Sequence, residues 1–404
     1  MGAYEIQTTK KESLSAMKIF ITDGFWRKSL AAVRSLGRRG AEVTVGDSCM
    51  LAPSFYSRFC SHRVVYPSPL VQPEEFLAYV LDSLKKTTYQ CLMPMEEETL
   101  LLISRHKDKV SELTGLLIPE YEKLVFIRDK ANMIHWALKA GIPCPKTYFV
   151  KRLDEIDGIT AEAEFPLVIK PRISSGSRGI RYVRCREELL GAYKAVHEKF
   201  SLPLIQEYVP AGGGAFCLSA LFSKDSQLKA VFIHKRLREY PVTGGPSTFR
   251  ESVYHDEIKT LGIKILKQLG WVGVASVEFK IDPRDNIPKL MEINPRFWGS
   301  LALSIYAGVD FPYLICRLLA GEDFKPVEEY KVGKKARWLL PGDMMHFFAM
   351  LKRGNIPDGF FNFFDRNTVY DYFALDDPLP VLGQILSLGT LFYENDVKRL
   401  LQKR

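Results

Sequence analysis

The segment KLMEINPRFWGS, residues 289–300, places three polar side chains at alternate positions, Glu292, Asn294 and Arg296. Alternation is the period of a β-strand, so an extended backbone directs all three side chains to one face of a sheet. The apolar residues around them are typical of a strand that is buried on one side. The segment therefore predicts a cluster of a carboxylate, an amide and a guanidinium, unless this face of the strand meets bulk solvent.

A second acidic strand precedes this one. VGVASVEFKIDP, residues 272–283, carries Glu278, and the residues PRDN that begin at Pro283 are a turn signal. If the two strands pair through that turn, Glu278 and Glu292 face one pocket and Asn294 extends the cluster. Carboxylate and amide oxygens suit Mg²⁺ shared with phosphates, and the absence of thiol and imidazole groups argues against zinc. The alternative is that both acids lie on a solvated sheet face.

Another candidate anion site lies in VIKPRISSGSRGI, residues 168–180, where Lys170 ends an apolar strand. Small residues let the backbone approach an anion and point N–H groups at it, and a lysine adds a point charge for a phosphate. The candidate residues after the strand are Ser174, Ser175, Gly176, Ser177 and Gly179. The strand–loop–strand context differs from a Walker A loop. A flexible surface hairpin is the alternative.

Length, charge and cysteine usage limit the class of protein. A chain of 404 residues predicts two or three domains. The formal charge of +9 permits an anionic partner. The sequence contains no block of five or more Lys or Arg residues, so an arm that binds nucleic acid is not expected. Seven widely spaced cysteines suit reduced thiols in the cytoplasm and argue against a disulfide framework. The polar first sixteen residues do not resemble a secretory signal.

The predicted type of secondary structure changes near residue 126. Before it, MKIFIT, RKSLAAVRSLGRRG and AEVTVGD predict strand, helix and strand, so residues 17–125 are expected to form a doubly wound α/β domain with a parallel sheet. Its first strand–helix turn, ITDGFWRKSL, has one glycine and lacks the dinucleotide fingerprint, which favours a structural turn. Residues 126–325 predict α+β structure with antiparallel strands, in two lobes, about 126–203 and 204–325.

Residues 326–404 predict a helical C-terminal extension. DMMHFFAMLKR, from residue 343, and ILSLGTLFYENDVKRLLQKR, from residue 385, combine apolar stripes with basic ends. Packing of these helices onto the body of the protein is favoured, and contact with a membrane surface is the alternative. The apolar stretch LPVLGQILSLGTLFY, 379–393, is too short to span a bilayer.

The order of these pieces resembles the ATP-grasp superfamily, and most of all its carbamoyl-phosphate-synthetase-like carboxylate–amine ligases. The order is Lys130, then Lys170 with its Gly/Ser loop, then QEYVP at 206–210, then Glu278, then the run EINPR. The resemblance covers roughly residues 17–325. It implies a two-lobed ATP-grasp domain after a preceding α/β domain, and it implies ATP and Mg²⁺, with Mn²⁺ as a possible substitute, as cofactors.

The resemblance also implies roles for individual residues. Lys130 and Lys170 would contact the phosphates of ATP, under the mobile loop of residues 174–179. The segment QEYVP would receive adenine, although it also reads as an ordinary buried strand, and a typical member has a ribose-binding Glu where this chain has Ala215. The implied adenine-side residues are Gln206, Glu207 and Val209, the metal ligands Glu278, Glu292 and Asn294, and the catalytic groups Lys235, Arg236 and Arg296. Glu207 itself is a second candidate for the ribose.

Two further segments are candidates for binding the other substrates. VTGGPSTFRESV, 242–253, predicts a loop that closes over an acceptor, with Gly244, Gly245 and Arg250 as contacts. PMEEETL, 94–100, offers acids to an amine, or else simply caps the next helix.

The reaction implied is that of an ADP-forming ligase, which would activate a small carboxylate as an acyl phosphate for attack by an amine. Charge neutralisation by lysines, arginine and Mg²⁺ suffices for such a transfer. The expected partners are therefore small molecules and not nucleic acid, and a homodimer is possible. One alternative is a biotin-carboxylase-like enzyme that uses bicarbonate, although the chain has no MKM attachment site. The other is a non-catalytic nucleotide-binding scaffold.

Overall fold

The computed structural model describes residues 14–174 and 176–390. The N-terminal part is a four-stranded parallel sheet in the order β3-β2-β1-β4. The strands are β1 (Lys18–Ile21), β2 (Glu42–Asp47), β3 (His62–Val65) and β4 (Cys91–Met93), and the helices are α1 (Arg27–Arg38), α2 (Pro73–Lys86), α3 (Glu97–Arg105) and α4 (Lys107–Ser111). Ile19 and Ile21 pack in one apolar cluster and Phe20 in another. Both faces of the sheet are therefore covered, as the doubly wound prediction required.

The middle of the chain forms a small antiparallel sheet with its own core. Its strands are β5 (Thr147–Tyr148), β6 (Leu167–Lys170), β7 (Arg181–Val183) and β8 (Leu204–Glu207), in the order β5-β8-β6-β7. The helices in this stretch are α5 (Tyr121–Arg128), α6 (Lys130–Lys139), α7 (Ile156–Glu162) and α8 (Arg186–His197). The buried side chains of α7, α8 and β6 form a separate apolar cluster.

A seven-stranded sheet forms the rest of the body, in the order β13-β12-β9-β10-β11-β14-β15. Its strands are β9 (Ala215–Phe222), β10 (Leu228–Glu239), β11 (Ser247–Ser252), β12 (Gly273–Ile281), β13 (Pro288–Asn294), β14 (Lys335–Arg337) and β15 (Thr368–Tyr370). The helices are α9 (Asp256–Gln268), α10 (Leu301–Ala307), α11 (Phe311–Leu319), α12 (Met344–Leu351) and α13 (Pro380–Thr390). The C-terminal extension thus supplies two strands in addition to its helices. We propose that the chain consists of three parts, residues 17–125, 126–325 and 326–404.

Buried ion pairs tie the C-terminal extension to the rest of the molecule. Asp343 accepts hydrogen bonds from Arg238 at 2.9 and 2.8 Å and from Arg337 at 2.6 Å. Asp377 accepts one from Arg34 of α1 at 2.8 Å. Burial leaves such charges without solvent, so each depends on its partner for compensation.

No single helix in the described ranges is long and apolar enough to cross a bilayer, although α10 and α11 together, bent by 81°, meet the length and composition of a broken span.

Candidate active site

The two acidic strands do pair, and their acids do converge. β12 and β13 are antiparallel, with Glu278 opposite Glu292 and Ser276 opposite Asn294. The side-chain amide of Asn294 donates to Glu278 Oε1 at 3.3 Å and to Glu292 Oε1 at 3.1 Å. Residues directly opposite one another in an antiparallel pair share a face, so three oxygen-bearing side chains meet at one point of the sheet.

The two carboxylates differ in their electrostatics. Burial, together with the charge of Glu292, raises the pKa of Glu278 against the opposing effect of Arg236. Burial acts in the same direction on Glu292, but the positive charge of Lys130 and the hydrogen bond from Asn294 outweigh it and lower the pKa. Each acid therefore has a cation beside it: Arg236 next to Glu278 and Lys130 next to Glu292. These positive charges favour the ionised form of the carboxylates, which is the form that binds a metal ion.

Lys130 and Lys170 lie on the lobe that faces these acids. Asp129 caps the start of α6 by accepting from the backbone N–H of Ala131 at 2.8 Å, which fixes the direction of Lys130. Lys130 Nζ donates to the carbonyl of Ser174 at 2.6 Å and lies 3.8 Å from Glu292 Oε2. Burial, and then the charge of Lys280, lower the pKa of Lys170 to about 8. The structure brings both predicted lysines together with the acids.

The Gly/Ser loop joins β6 to β7 and turns sharply. Gly176, Ser177 and Gly179 all have positive φ angles, of 63°, 62° and 74°. A side chain at Gly176 would meet no atom within 4 Å, so this part of the loop is open. Ser174 contributes its carbonyl to Lys130, and Ser175 lies outside the described residues. The loop therefore lies beside the phosphate-binding candidates, as the sequence predicted.

The predicted adenine segment is an extended strand between two neighbours. Gln206 is buried and its amide donates to Thr147 Oγ1 at 2.8 Å. The backbone N–H of Glu207 donates to the carbonyl of Lys146 at 2.9 Å, so it is already engaged. No described residue pairs with the backbone of Val209, the buried residue that follows, so Val209 is the better placed of the two to present its backbone to a base.

The carboxylate of Glu207 is occupied by other groups. It accepts from the backbone N–H of Lys146 at 2.9 Å, from Lys289 at 3.0 Å and from Arg284 at 3.0 Å. Ala215, which stands where a ribose-binding acid was expected, begins β9 and has no polar side chain. The position of Glu207 therefore gives no support to a role in holding a ribose.

Adjacent residues on β10 have different surroundings. Arg236 pairs with Glu278 and donates to the carbonyl of Gly245 at 3.3 Å. Lys235 lies with its ammonium 5.8 Å from the ring centre of Phe216, which belongs to the apolar core. Since successive strand residues point to opposite faces, Arg236 joins the acid cluster and Lys235 does not. The position of Lys235 does not support the catalytic role that the resemblance implied.

The predicted acceptor loop is shorter than expected. Ser247–Ser252 is strand β11 and not a loop, because its backbone pairs with β10 and β14. Only the residues before it form a turn, in which Gly244 has a φ of 132° and Gly245 contacts Arg236. Arg250 is fully buried and paired with Asp371. Its position therefore gives no support to direct contact with a substrate.

The N-terminal part brings charged groups to this end of the site. They are the acids of residues 94–100, which the sequence offered to an amine, and the cations Arg27 and Lys28, which it did not single out. Arg296 Nε lies 3.8 Å from Glu96 Oε2 and 4.0 Å from Glu97 Oε2. Lys28 Nζ lies 2.7 Å from Glu96 Oε1 and donates to the carbonyl of Phe297 at 3.1 Å. Arg27 donates to the carbonyl of Gly299 at 2.7 Å. The start of α1 and the start of α3 therefore meet the residues that follow β13.

Two signals in the sequence could have indicated these residues. Both groups follow parallel strands, β1 and β4, which are neighbours in the sheet although they are not consecutive in the chain. Ligands of open α/β sheets bind beyond the carboxyl ends of strands at such a reversal point.

Lys280 is a further residue that the sequence analysis missed. It lies two residues after Glu278 on β12, hence on the same face, and its charge contributes to lowering the pKa of Lys170.

Comparison with known proteins agrees with this arrangement. A family model described as "ATP-grasp in the biosynthetic pathway with Ter operon" matches residues 227–339. D-aspartate ligase of Enterococcus faecium is 24% identical over 273 residues, which are 62% of this chain and 64% of that protein. The large chain of carbamoyl phosphate synthase of Methanobrevibacter smithii is 22% identical over 300 residues, 68% of this chain and 28% of that protein. The chain thus spans less than two thirds of the length of either relative.

Solved structures share the fold at low identity. The biotin carboxylase domain of 2-oxoglutarate carboxylase from Hydrogenobacter thermophilus, in complex with MgADP and bicarbonate, has a TM-score of 0.63 at 16% identity, covering 79% of this chain and 73% of that one. N5-carboxyaminoimidazole synthetase from Staphylococcus aureus has a TM-score of 0.60 at 18% identity, covering 79% and 80%. The chain therefore shares the fold of these enzymes, and residues 227–339, which include the paired acidic strands, match an ATP-grasp family model.

Proposed function

We propose that the protein is an ADP-forming ligase that activates a small carboxylate with ATP for attack by an amine. The observation that carries the proposal is the convergence of Glu278 and Glu292 on Asn294, which lies within 3.3 Å of both, beside Arg236 and Lys130. The names of the relatives support it, because D-aspartate ligase and D-alanine–D-alanine ligase both join a carboxylate to an amine.

The polar groups suit ATP bound between the small sheet and the large sheet. Lys130 and Lys170 would neutralise its phosphates, and the loop of residues 174–179 would cover them. Adenine would lie against the backbone after β8, near Val209. The sugar would be held without an acid at Ala215, so we expect recognition of the ribose to be weak.

The donor set at the acids fits a magnesium ion that also binds phosphates. Among the described residues no group of three or more His, Cys, Asp or Glu side chains could hold a metal alone. Mg²⁺ is typically held by one or two carboxylates with substrate phosphates as further ligands. Glu278, Glu292 and Asn294 would hold the ion, and when bound it would neutralise charge on the phosphate oxygens.

The chain's own cations would act where negative charge develops. The γ-phosphorus would form a bond to the acceptor carboxylate while its bond to the β-phosphate oxygen breaks, which releases ADP and leaves an acyl phosphate. Arg236, which pairs with Glu278, and Arg296, which lies near Glu96, would stabilise the transferring group. The amine nitrogen would then attack the acyl carbon and lose a proton, and inorganic phosphate would leave.

The acceptor would lie where the two parts of the molecule meet. Arg296 and Lys28 are cationic there, and Glu96 and Glu97 are anionic, within 4.0 Å of Arg296. Groups of both signs suit a carboxylate next to an amine. We propose that the reaction takes place in the cytoplasm, which is consistent with seven cysteines that all lie in the described residues and form no disulfide.

Release of ADP from Mg-ATP tests the proposal. Wild type and Glu292→Gln would be incubated with a pool of small carboxylates and amines, and Glu329→Gln, at an exposed acid far along the chain, is the matched control. We expect wild type and Glu329→Gln to release ADP only with the pool, and Glu292→Gln to be slower by about 10²- to 10³-fold.

Division of the active pool would then name the acceptor and the amine. Release that needs bicarbonate but no amine would instead support a biotin-carboxylase-like reaction. Binding of ATP without any release under all pools would support a nucleotide-binding scaffold, and failure to bind ATP would contradict the proposal altogether.

A further inference from the structure

Helix α13 has its apolar side turned outward. After its first residue, the buried Pro380, the buried positions of the helix are Gly383, Gln384 and Ser387. Gly383 allows close contact with the turn at Pro53–Tyr56, since a Cβ there would lie 2.4 Å from the ring of Tyr56. Leu382, Ile385 and Leu386, which share one face by their spacing, are each about half exposed. A helix that packs on a protein core normally buries such a face and exposes its small polar side.

Helix α12 repeats this inversion. Its buried residue is His346, which is within hydrogen-bonding distance of the carbonyl of Glu239 at 2.7 Å. Met345, Phe348 and Leu351 are exposed by 41%, 53% and 48%. Both helices thus contact the body through polar and small residues, and this packing leaves several of their apolar side chains exposed.

Contacts join the two helices to each other and α12 to the phenylalanines that follow it. The ring of Phe347 stacks on Phe360 at 4.3 Å, which joins α12 to residues 360–364, where Phe361 and Phe364 are exposed by 63% and 78%. The amide of Gln384 in α13 donates to the carbonyl of Leu340, just before α12. We name the exposed apolar side chains of α12, residues 360–364 and α13 the outer apolar surface. Nearly half of the large exposed apolar side chains in the described residues lie between 340 and 386.

The exposed charges beside this surface are mainly positive. Lys352 and Arg353 directly follow α12, and Arg366 follows the phenylalanines; all three are exposed and none lies in an ion pair with another described residue. The same stretch contains two acids. Asp358 is exposed, whereas Asp365 is partly buried and lies 3.6 Å from Lys335, which offsets its charge. Large exposed apolar patches on soluble folds mark sites of interaction, and exposed cations next to one complement an anionic surface.

We propose that the outer apolar surface docks on an anionic lipid bilayer, with the phenylalanines in the headgroup region and Lys352 and Arg353 against lipid phosphates. The helices would lie in the plane of the interface and would not cross it. A ligase held in this way acts at the membrane surface. The inference is independent of the proposed chemistry, because it concerns a face that contains none of the residues assigned to the active site.

Vesicle flotation with the full chain tests the proposal. Phosphatidylcholine vesicles with and without phosphatidylglycerol would be compared for wild type, Phe361→Ser/Phe364→Ser and Lys352→Ala/Arg353→Ala. Leu70→Ser/Val71→Ser is the matched control, because these side chains are 45% and 47% exposed on the N-terminal part. Thermal unfolding of each variant checks that it is folded.

We expect wild type and the control to bind the anionic vesicles and to be released by salt. The Phe variant should bind at least about tenfold more weakly, since its apolar area is lost. Each cation near an anionic surface contributes about 1 kcal/mol, so the double cation variant should lose roughly thirtyfold. Failure of wild type to bind, or equal binding by the Phe variant, would overturn the proposal. A dimer in sedimentation that the Phe variant breaks, without vesicle binding, would overturn it in favour of an interface between copies.

Discussion

Two arginines face each other on neighbouring strands of the large sheet, and their surroundings differ completely. Arg236 of β10 and Arg250 of β11 are directly opposite in register. The side chain of Arg236 is 18% exposed and pairs with Glu278, whereas that of Arg250 is 0% exposed and pairs with Asp371. The first pair is partly exposed, and the second is fully buried against the C-terminal extension. The same residue type thus has a carboxylate of the proposed active site as its partner in one place and a fully buried structural partner in the other.

The sealed pair should give the largest effect on folding. Asp371→Ala would leave Arg250 buried without its partner, and loss of one member of a buried pair costs about 3–5 kcal/mol. Urea unfolding would measure the loss, with Asp358→Ala, at an exposed acid in the same extension, as the control. If Asp371→Ala were as stable as wild type, the contrast between the sealed and the open arginine would be lost.

The open cluster should show the reverse behaviour, with loss of activity and little loss of stability. Arg296→Ala removes a cation at the acceptor side, and removal of such a group costs about 10²- to 10³-fold in rate. Its contacts with Glu96 and Glu97 are long, at 3.8 and 4.0 Å, so the unfolding midpoint should change little. ADP release and urea unfolding, measured on the same sample, would check the effects on activity and on stability. If Arg296→Ala were clearly less stable than wild type, Arg296 would have a structural role like that of Arg250.

Lys170 predicts a pH dependence for nucleotide binding. Its pKa of about 8 means that it loses its positive charge above that pH, so affinity for ATP should fall by up to about tenfold for each further pH unit. The unfolded chain keeps this proton up to the ordinary pKa of 10.5, so the same group makes stability rise with pH between about 8 and 10.5.

Calorimetric binding of ATP between pH 7 and 9 would measure this effect. Lys170→Met should bind more weakly and without that slope. Lys28→Met is the control, because burial and Arg296 also lower the pKa of Lys28 to about 8, but it lies at the acceptor end. A slope that persists in Lys170→Met would assign the titration to another group.

The smallest effect is expected at Lys235. Because it lies against Phe216 and away from the acids, Lys235→Ala should change ADP release by less than about twofold. Arg236→Ala, one residue further, should reduce it by about a hundredfold, since Glu278 loses its cation. Equal losses in the two variants would mean that Lys235 reaches the cleft after all.

Local patterns were sufficient for the parts of the site that lie within single strands. Alternation in KLMEINPR placed Glu292 and Asn294 on one face, and the turn at PRDN predicted the pairing that brings Glu278 opposite Glu292. Strand alternation, applied to β10, places Lys235 and Arg236 on opposite faces of the sheet, whereas the resemblance to the family had assigned both to catalysis. Arg250 was assigned to a loop because the glycines before it conceal the start of β11.

The sequence by itself determined the alternation of β12 and β13, the small residues after β6 and the parallel strands at the N-terminus, because strand periodicity and turn chemistry act over a few residues. Only the tertiary structure decided that Glu96 meets both Lys28 and Arg296, that Asp371 pairs with the buried Arg250, and that α12 and α13 turn apolar side chains outward. Contacts between residues far apart in the chain depend on how whole sheets pack and on which faces remain uncovered, and neither is contained in a local pattern.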